Sequence, residues 1–239
     1  MVAWSPDGKT VATASWDNTV KLWDPTTGEN TQSLEGHEDS LEAVAWSPDG
    51  ETIATSSWDD DVKLWNPTTG ENTQTLAGNV DGVVVLAWAP DSKRLAVTSD
   101  ERNVKLWDTT TSEGPRVLET YTTFVGSVGW SPDGDTLVTG GRDGSEDTIK
   151  LWNPTTGENT QTLVGHTNLV LSIAWSPDGT TIATASDDQT VKLWDPTTGS
   201  SIQTIETNVE GAVWLDWSPD GKTLASSGSD DTAKLWSVS

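Results

Sequence analysis

Few side chains in this sequence can carry out nucleophilic or metal chemistry. The chain has two histidines, His37 and His166, and no cysteine, which excludes thiolate catalysis, thiolate metal sites and disulfides. Carboxylates cluster at Asp59-Asp60-Asp61 and between Asp143 and Asp147, but the glycine and glutamate of a calcium-binding loop are not at the required positions. Solvated turns explain these clusters better, so we predict no metal ion and no cofactor.

The sequence also lacks the short patterns that position catalytic groups. It contains no Gly-x-Ser-x-Gly, no His-Glu-x-x-His and no glycine-rich phosphate-binding loop ahead of a helix. We therefore predict that the protein is not an enzyme.

The charge of the chain excludes two classes of partner. There are 37 acidic and 13 basic residues, giving a formal net charge of −24, and such a surface repels nucleic-acid phosphates and anionic lipid. No apolar stretch approaches the roughly 20 residues of a membrane span, and the first residues do not resemble a signal peptide. We expect no nucleic acid and no membrane as partners, and a cytoplasmic location if the protein is natural.

Tryptophans mark an internal repeat. The pattern Trp-Ser-Pro-Asp-Gly, or a close variant of it, begins at Trp4, Trp46, Trp88, Trp130, Trp175 and Trp217. These tryptophans are 42 residues apart except for one interval of 45, where three extra residues lie near Gly144. The pattern Lys-Leu-Trp recurs in step with them. Six copies fill residues 1–239 and predict a single domain, because a fixed period of this length is typical of repeat architectures.

Each copy reads as short strands separated by turns. In the second copy, residues 52–57, 61–65 and 73–76 are rich in β-favouring residues. Ser47-Pro48-Asp49-Gly50 and Pro67-Thr68-Thr69-Gly70 are turn sequences. No window keeps the apolar spacing of a helix over three turns. Four short antiparallel strands in about 42 residues are typical of one blade of a β-propeller.

Three features of the copies resemble the WD-repeat family. They are a glycine and histidine before the first strand, Ser-x-Asp after the second, and a tryptophan six residues beyond that aspartate. The resemblance covers essentially the whole chain and implies an all-β, six-bladed β-propeller of four-stranded antiparallel blades. Six first, second and third strands are predicted but only five fourth strands, so the last blade should lack its outer strand. We expect a monomer, with a dimer formed through this open edge as the alternative.

The resemblance also implies a buried hydrogen-bond network in each blade. In the family, a histidine, a hydroxyl residue, an aspartate and a tryptophan connect the outer strand to the inner ones. Two copies carry the complete set, which is His37, Thr55, Asp59 and Trp65 in one and His166, Thr184, Asp188 and Trp194 in the other. The third copy has Val97 and Glu101 at the hydroxyl and aspartate positions. We therefore predict structural roles for both histidines.

The loops at the two ends of a blade have diverged to different extents. The Pro-Asp-Gly turns are nearly identical in five copies and the Pro-Thr-Thr-Gly turns survive in four, whereas the loops at the opposite end differ almost completely. In the family, these opposite loops commonly meet a partner, and divergence confined to one end favours binding there. Neutral drift is the alternative. The candidate partner-binding residues on these loops are Trp16, Trp58, Asp100, Phe124, Arg142, Leu169 and Asp187.

Three functions remain open at this point. A protein-interaction platform that uses the variable loops agrees best with the sequence. An engineered propeller scaffold without an evolved ligand would explain the 15 tryptophans beside one Phe, one Tyr and one Met. A small-molecule or catalytic site in the central channel is the third. Trp214 is predicted to lie in the core, and the sequence offers no explanation for Asp216, which replaces an alanine of other copies.

Overall fold

The computed structural model describes residues 1–77, 83–99, 103–118, 124–144, 146–207, 212–229 and 232–238. These residues form antiparallel strands and turns, with no helix among them. The described residues therefore contain no helix that could cross a membrane. The chain divides into two compact units, Met1–Val117 and Leu118–Ser239. Each unit contains three sheets, which we call blades and number along the chain.

The first unit holds three four-stranded blades in which strands adjacent in sequence pair with one another. Blade one consists of β1 (Val2–Trp4), β2 (Val11–Ala14), β3 (Thr19–Trp23) and β4 (Asn30–Glu35). Blade two consists of β5 (Leu41–Trp46), β6 (Ile53–Ser57), β7 (Val62–Trp65) and β8 (Asn72–Leu76). Blade three consists of β9 (Val83–Trp88), β10 (Arg94–Ser99), β11 (Val104–Asp108) and β12 (Arg116–Leu118).

The second unit repeats this order, except that its last blade has three strands. Blade four consists of β13 (Phe124–Trp130), β14 (Leu137–Asp143), β15 (Glu146–Trp152) and β16 (Asn159–Val164). Blade five consists of β17 (Val170–Trp175), β18 (Ile182–Ser186), β19 (Thr190–Trp194) and β20 (Ser201–Glu206). Blade six consists of β21 (Ala212–Trp217), β22 (Thr223–Gly228) and β23 (Ala233–Ser237). The predicted all-β fold with three strands in the last blade is confirmed.

The Pro-Asp-Gly turns fix the first hairpin of a blade. In blade two, the backbone N–H of Thr52 donates to the Ser47 hydroxyl oxygen over 3.0 Å, and the Ser47 hydroxyl donates to Asp49. Gly50 has a φ of 74°, a conformation that costs glycine little and other residues more. The turn sequence thus closes on itself, which accounts for its repetition along the chain.

The core of each unit lies between neighbouring blades. One cluster joins Val20, Leu22 and Leu34 of blade one to Leu41 and Trp65 of blade two. Corresponding clusters join blades two to three, four to five and five to six. Alternation along a strand places one set of side chains against the preceding blade and the other set against the following blade. A blade is therefore buried on both faces only where it has a neighbour on both.

The three extra residues of the fourth copy lengthen one hairpin. Strands β14 and β15 have seven residues each, and their pairing continues to Arg142 opposite Asp147 and Asp143 opposite Glu146. The insertion therefore extends the ladder and leaves the register of the conserved part unchanged.

The prediction that Trp214 lies in the core is wrong. Trp214 is 65% exposed and Asp216 is also exposed, whereas Leu215 and Trp217, which alternate with them along β21, are buried against blade five. Because side chains alternate along a strand, Trp214 and Asp216 share the face of blade six that points away from blade five. Asp216 is thus a solvated carboxylate on this face, which removes the difficulty of placing a charge at an alanine position.

Candidate protein-interaction site

Each blade has two distinct ends because its strands run up and down in sequence order. The turns between its first and second strands, and between its third and fourth strands, lie at one end, which we call the turn end. The loops before its first strand and after its second strand lie at the other, which we call the variable end. The described candidate binding residues and the two histidines belong to variable ends.

In blade two the histidine network is complete. The indole N–H of Trp65 donates to Thr55 Oγ1 over 2.7 Å, and His37 Nε2 lies 2.8 Å from the same oxygen. His37 Nδ1 lies 2.8 Å from Asp59 Oδ2, which also accepts the backbone N–H of Glu38 over 2.8 Å. The network ties the loop before β5 to the turn after β6 and to β7.

The acceptors and donors of this network fix its proton positions. The Asp59 carboxylate only accepts, so His37 Nδ1 carries the proton that it donates. Burial lowers the pKa of His37, so the ring is neutral and Nε2 accepts from the hydroxyl of Thr55. Burial alone would raise the pKa of Asp59, but hydrogen bonds from Glu38 N–H and His37 lower it on balance. Each group is thus satisfied in the state that it holds near pH 7.

Blade five contains the same arrangement. His166 Nδ1 lies 2.7 Å from Asp188 Oδ2, and His166 Nε2 lies 2.7 Å from Thr184 Oγ1. The indole N–H of Trp194 donates to Thr184 over 2.8 Å, and burial lowers the pKa of His166. Both histidines are therefore engaged on both ring nitrogens, which leaves neither one available as a base or a metal ligand.

The other blades keep only parts of this network. Blades one, four and six lack the histidine and keep the tryptophan–hydroxyl bond, over 2.8 to 2.9 Å, in the pairs Trp23–Thr13, Trp152–Thr139 and Trp236–Ser226. In blade three Val97 replaces the hydroxyl residue, and the buried Nε1 of Trp107 has no hydrogen-bond partner within the described parts of the chain. Glu101 lies outside the described residues.

At the variable end of the first unit, Trp16 and Trp58 are solvent-exposed on neighbouring loops. Trp16 is 82% exposed and Trp58 is 54% exposed. The two loops are connected through Ser40, whose carbonyl accepts the Trp58 backbone N–H over 3.0 Å and whose hydroxyl donates to the Trp16 carbonyl over 3.5 Å. The indole N–H of Trp58 donates to the Glu42 carboxylate over 3.0 Å. These contacts connect the backbones of the two loops and fix the indole of Trp58, and both tryptophan side chains remain exposed.

At the variable end of the second unit, Arg142 and Asn168 connect blades four and five. The Arg142 guanidinium donates to Asp147 over 2.9 and 3.2 Å and to Asn168 Oδ1 over 3.2 Å. Leu169 and Asp187 are half-buried, and the backbone N–H of Asp187 donates to the Leu169 carbonyl over 3.0 Å. Arg142 is therefore engaged within the chain.

Asp100 and the side chain of Phe124 lie outside the described part of the chain. Sequence reasoning missed Ser40, Glu42 and Asn168, which connect the loops. The sequence gives little indication of these three residues, because a single polar residue in a variable loop is identified as a contact only when the neighbouring loop is known.

Other parts of the structure offer less to a ligand. A cavity of about 500 Å³ lies at the turn end between blades one and two, and one of about 230 Å³ lies at the equivalent place between blades four and five. Hydroxyl, proline and aspartate side chains of the turns line both, and none of the candidate residues does. No group of three or more histidine and acidic side chains among the described residues is placed to hold a metal ion.

Comparison with known proteins gives agreement at the level of family and fold. The family model for the IFT122 first beta-propeller matches residues 1–147, and the model for the WD domain, G-beta repeat, matches residues 157–195 and 199–237. A chain of the Crystal Structure of Mitotic Checkpoint Complex superimposes with a TM-score of 0.89, covering 100% of this chain and 73% of that chain at 22% identity. At this identity the likeness shows the fold alone. No curated protein matches the sequence.

Proposed function

Because this chain belongs to the WD-repeat β-propeller family, whose members are generally non-catalytic protein-interaction scaffolds, we propose that it binds a protein partner through its variable ends. The observation that carries this proposal is the exposed pair Trp16 and Trp58. Tryptophan is enriched among the residues that dominate protein interfaces, and an exposed apolar pair is costly to keep in water unless it is used.

The loops that present this pair are already ordered. Hydrogen bonds through Ser40 and Glu42 hold the backbone of both loops and the indole of Trp58. Docking then costs less conformational entropy, because the loop backbones and the Trp58 indole are held in place beforehand.

The charge around the two tryptophans indicates what the partner is like. The three loop segments 15–21, 37–42 and 57–63 carry seven carboxylates and two lysines. Both lysines are paired within the set, Lys21 with Asp17 over 3.2 Å and Lys63 with Asp61 over 3.3 Å. Hydrogen bonds from Thr19 and Lys21 lower the pKa of Asp17 to about 2, so it stays charged. A basic surface with an apolar or arginine anchor complements this site in charge and shape.

The test compares capture by the wild-type chain with capture by the double variant Trp16→Ala/Trp58→Ala. A partner recovered by the wild type should bind the double variant at least about thirtyfold more weakly. Truncation of an aromatic anchor to alanine commonly costs about 2 kcal/mol or more of binding free energy. Trp4→Ala is the matched control. Trp4 is 58% exposed, close to Trp58, but it lies at the turn end of blade one. Its replacement should leave binding unchanged.

Salt provides an independent readout of the same proposal. Association with a basic partner should slow as ionic strength rises, because exposed charges are screened beyond about 8 Å at physiological salt. A partner whose affinity survives loss of both tryptophans would place binding elsewhere. Failure to recover any partner from plausible hosts would instead favour a scaffold without a ligand.

A further inference from the structure

Blade six differs from the other five blades in the number of its strands. The other sheets have four strands, whereas the order in blade six is β21-β22-β23, so β23 has a neighbouring strand on one side only within the described chain. Leu235 in the middle of β23 is 74% exposed because it lies, with Asp216, on the face of blade six that points away from blade five, whereas its counterparts Leu22, Leu64, Leu151 and Leu193 are buried. No strand of the described residues occupies the position along the edge of β23 that a fourth strand takes in the other blades.

Four other blades show what fits beside such a third strand, because their register is the same. Opposite the apolar residue that corresponds to Ala233 stands a leucine or isoleucine, in the pairs Val20–Leu34, Val62–Leu76, Ile149–Leu163 and Val191–Ile205. Opposite the lysine stands a serine or threonine, in the pairs Lys21–Ser33, Lys63–Thr75, Lys150–Thr162 and Lys192–Thr204. Opposite the leucine that corresponds to Leu235 stands a glutamine in all four, and a one-residue bulge follows.

Specific contacts account for this preference. At the bulge, the hydroxyls of Thr31, Thr73 and Thr160 donate over 3.1 to 3.2 Å to the carbonyl of the opposing leucine. The Nζ of Lys192 donates to Thr204 Oγ1 over 3.0 Å. The leucine or isoleucine of the fourth strand is buried in each of these blades. The third strand therefore contacts the fourth through the threonine at the bulge in blades one, two and four, and through Lys192 in blade five.

We propose that the free edge of β23 binds an extended segment of a partner protein as a fourth strand, with the sequence type Asn-Thr-Gln-Ser/Thr-Leu/Ile. Backbone hydrogen bonds along the edge supply affinity, and alternate side chains supply specificity. The threonine would donate to the carbonyl of Leu235, the serine or threonine would face Lys234, and the leucine would lie opposite Ala233. The three fourth strands of this type in the described chain, in blades one, two and four, are already paired in their own blades and are therefore not available to β23.

One substitution in blade six shapes the preference further. Ala233 takes the place of the valine or isoleucine that the four template blades have at this position. The smaller side chain leaves room opposite it, and it gives the incoming leucine less apolar surface to cover. The variant Ala233→Val should therefore strengthen binding of a peptide that carries leucine at this position.

The experiment uses the full chain and a fluorescent synthetic peptide with the sequence of residues 70–77, Gly-Glu-Asn-Thr-Gln-Thr-Leu-Ala. Fluorescence anisotropy should show saturable binding of one peptide per chain. A scrambled peptide, and one with aspartate in place of the leucine, should bind at least tenfold more weakly, which corresponds to about 1.4 kcal/mol. Ala233→Val should tighten binding of the parent peptide.

Two further peptides separate strand addition from non-specific adhesion without altering the protein. One is N-methylated at every second amide, and the other at the intervening amides. Since only alternate amides of an added strand face β23, one of these peptides should bind and the other should not. Equal behaviour of the two, or a scrambled peptide that binds as well as the parent, would overturn the proposal. So would a chain that sediments as a stable dimer and takes up no peptide, since that would assign the edge to a second copy.

Discussion

In blade two the indole N–H of Trp65 donates to the hydroxyl of Thr55 over 2.7 Å, within a pair that is almost fully buried. In blade three the equivalent tryptophan is Trp107, and Val97 stands where the hydroxyl would be. The two blades differ at a buried position by one hydroxyl group, and so provide an internal comparison of a satisfied and an unsatisfied donor. An unsatisfied buried donor loses its hydration without compensation.

We expect Val97→Thr to stabilise the protein by about 0.5–1.5 kcal/mol. Threonine has nearly the shape of valine, and its oxygen would accept from Trp107. Its own proton would face the carbonyl of Lys105, as the hydroxyl of Thr13 donates to the carbonyl of Lys21 over 3.4 Å in blade one, which has no histidine. Urea denaturation midpoints measure the change. Val138→Thr is the control, because Val138 is equally buried beside a tryptophan that already has its partner, and this change should destabilise.

Thr55→Val should have the opposite effect and cost at least about 1–3 kcal/mol. It removes the acceptor of Trp65 and the donor to His37 in one step, while the side-chain volume stays the same. A loss no larger than the gain from Val97→Thr would mean that the histidine does not depend on this hydroxyl.

Asp59→Ala should cost about 1–3 kcal/mol, because it leaves the buried His37 Nδ1 proton and the Glu38 backbone N–H without their acceptor. Asp17 occupies the same position in blade one, where there is no histidine, and its carboxylate is exposed to solvent. Asp17→Ala should therefore lower the denaturation midpoint clearly less. Equal losses would contradict the role given to the histidine. Glu101→Ala, in blade three, should likewise cost less than Asp59→Ala.

Acidification should destabilise the protein in two separate windows. Burial lowers the pKa values of His37 and His166, so below about pH 6.5 the unfolded chain binds protons that the folded chain does not. The slope reaches at most about 1.4 kcal/mol per pH unit for each histidine. The lowered pKa values of Asp59 and Asp188 add a loss as the pH falls through about 3.8 and below.

The first window can be assigned to the histidines without ambiguity. The chain has no other histidine and no cysteine, so few other groups titrate between pH 5 and 6.5. Chemical denaturation of His37→Gln/His166→Gln across this range should show a nearly flat stability. A double variant that keeps the wild-type slope would show that the slope has another origin.

Much of this fold was accessible from the sequence because each copy contains its own local signals. The Ser-Pro-Asp-Gly turns close through their own side chains, and the position of Trp65 relative to Asp59 follows from the spacing within one blade. Trp214 was misplaced because alternation tells which side chains share a face but not whether another blade covers that face. The contact of Arg142 with Asn168 was missed for a related reason, since it depends on the approach of two loops 26 residues apart.

The contact between Arg142 and Asp147 makes a separate prediction about the second unit. Asp147 is buried and its carboxylate accepts from the guanidinium at two atoms. Arg142→Met should lower the melting temperature, because it leaves a buried carboxylate without its partner. Adding Asp147→Asn should restore more than half of the loss, since an amide is less costly to bury than a charge. If Arg142→Met leaves stability unchanged, the guanidinium would be available to a partner after all.

The last prediction concerns how firmly β23 is held. In blade five the third strand, β19, lies between β18 and β20, whereas β23 lies beside β22 alone in the described structure. A strand that is paired along one edge can open without disturbing the rest of its sheet, so its amides should exchange through local openings well below the global free energy of unfolding. Hydrogen exchange should show residues 233–237 weakly protected and residues 190–194 protected close to the global limit. The peptide of residues 70–77, added at saturation, should raise protection in β23 and leave β19 unchanged. Equal protection of β19 and β23 in the free monomer would mean that another segment already covers this edge.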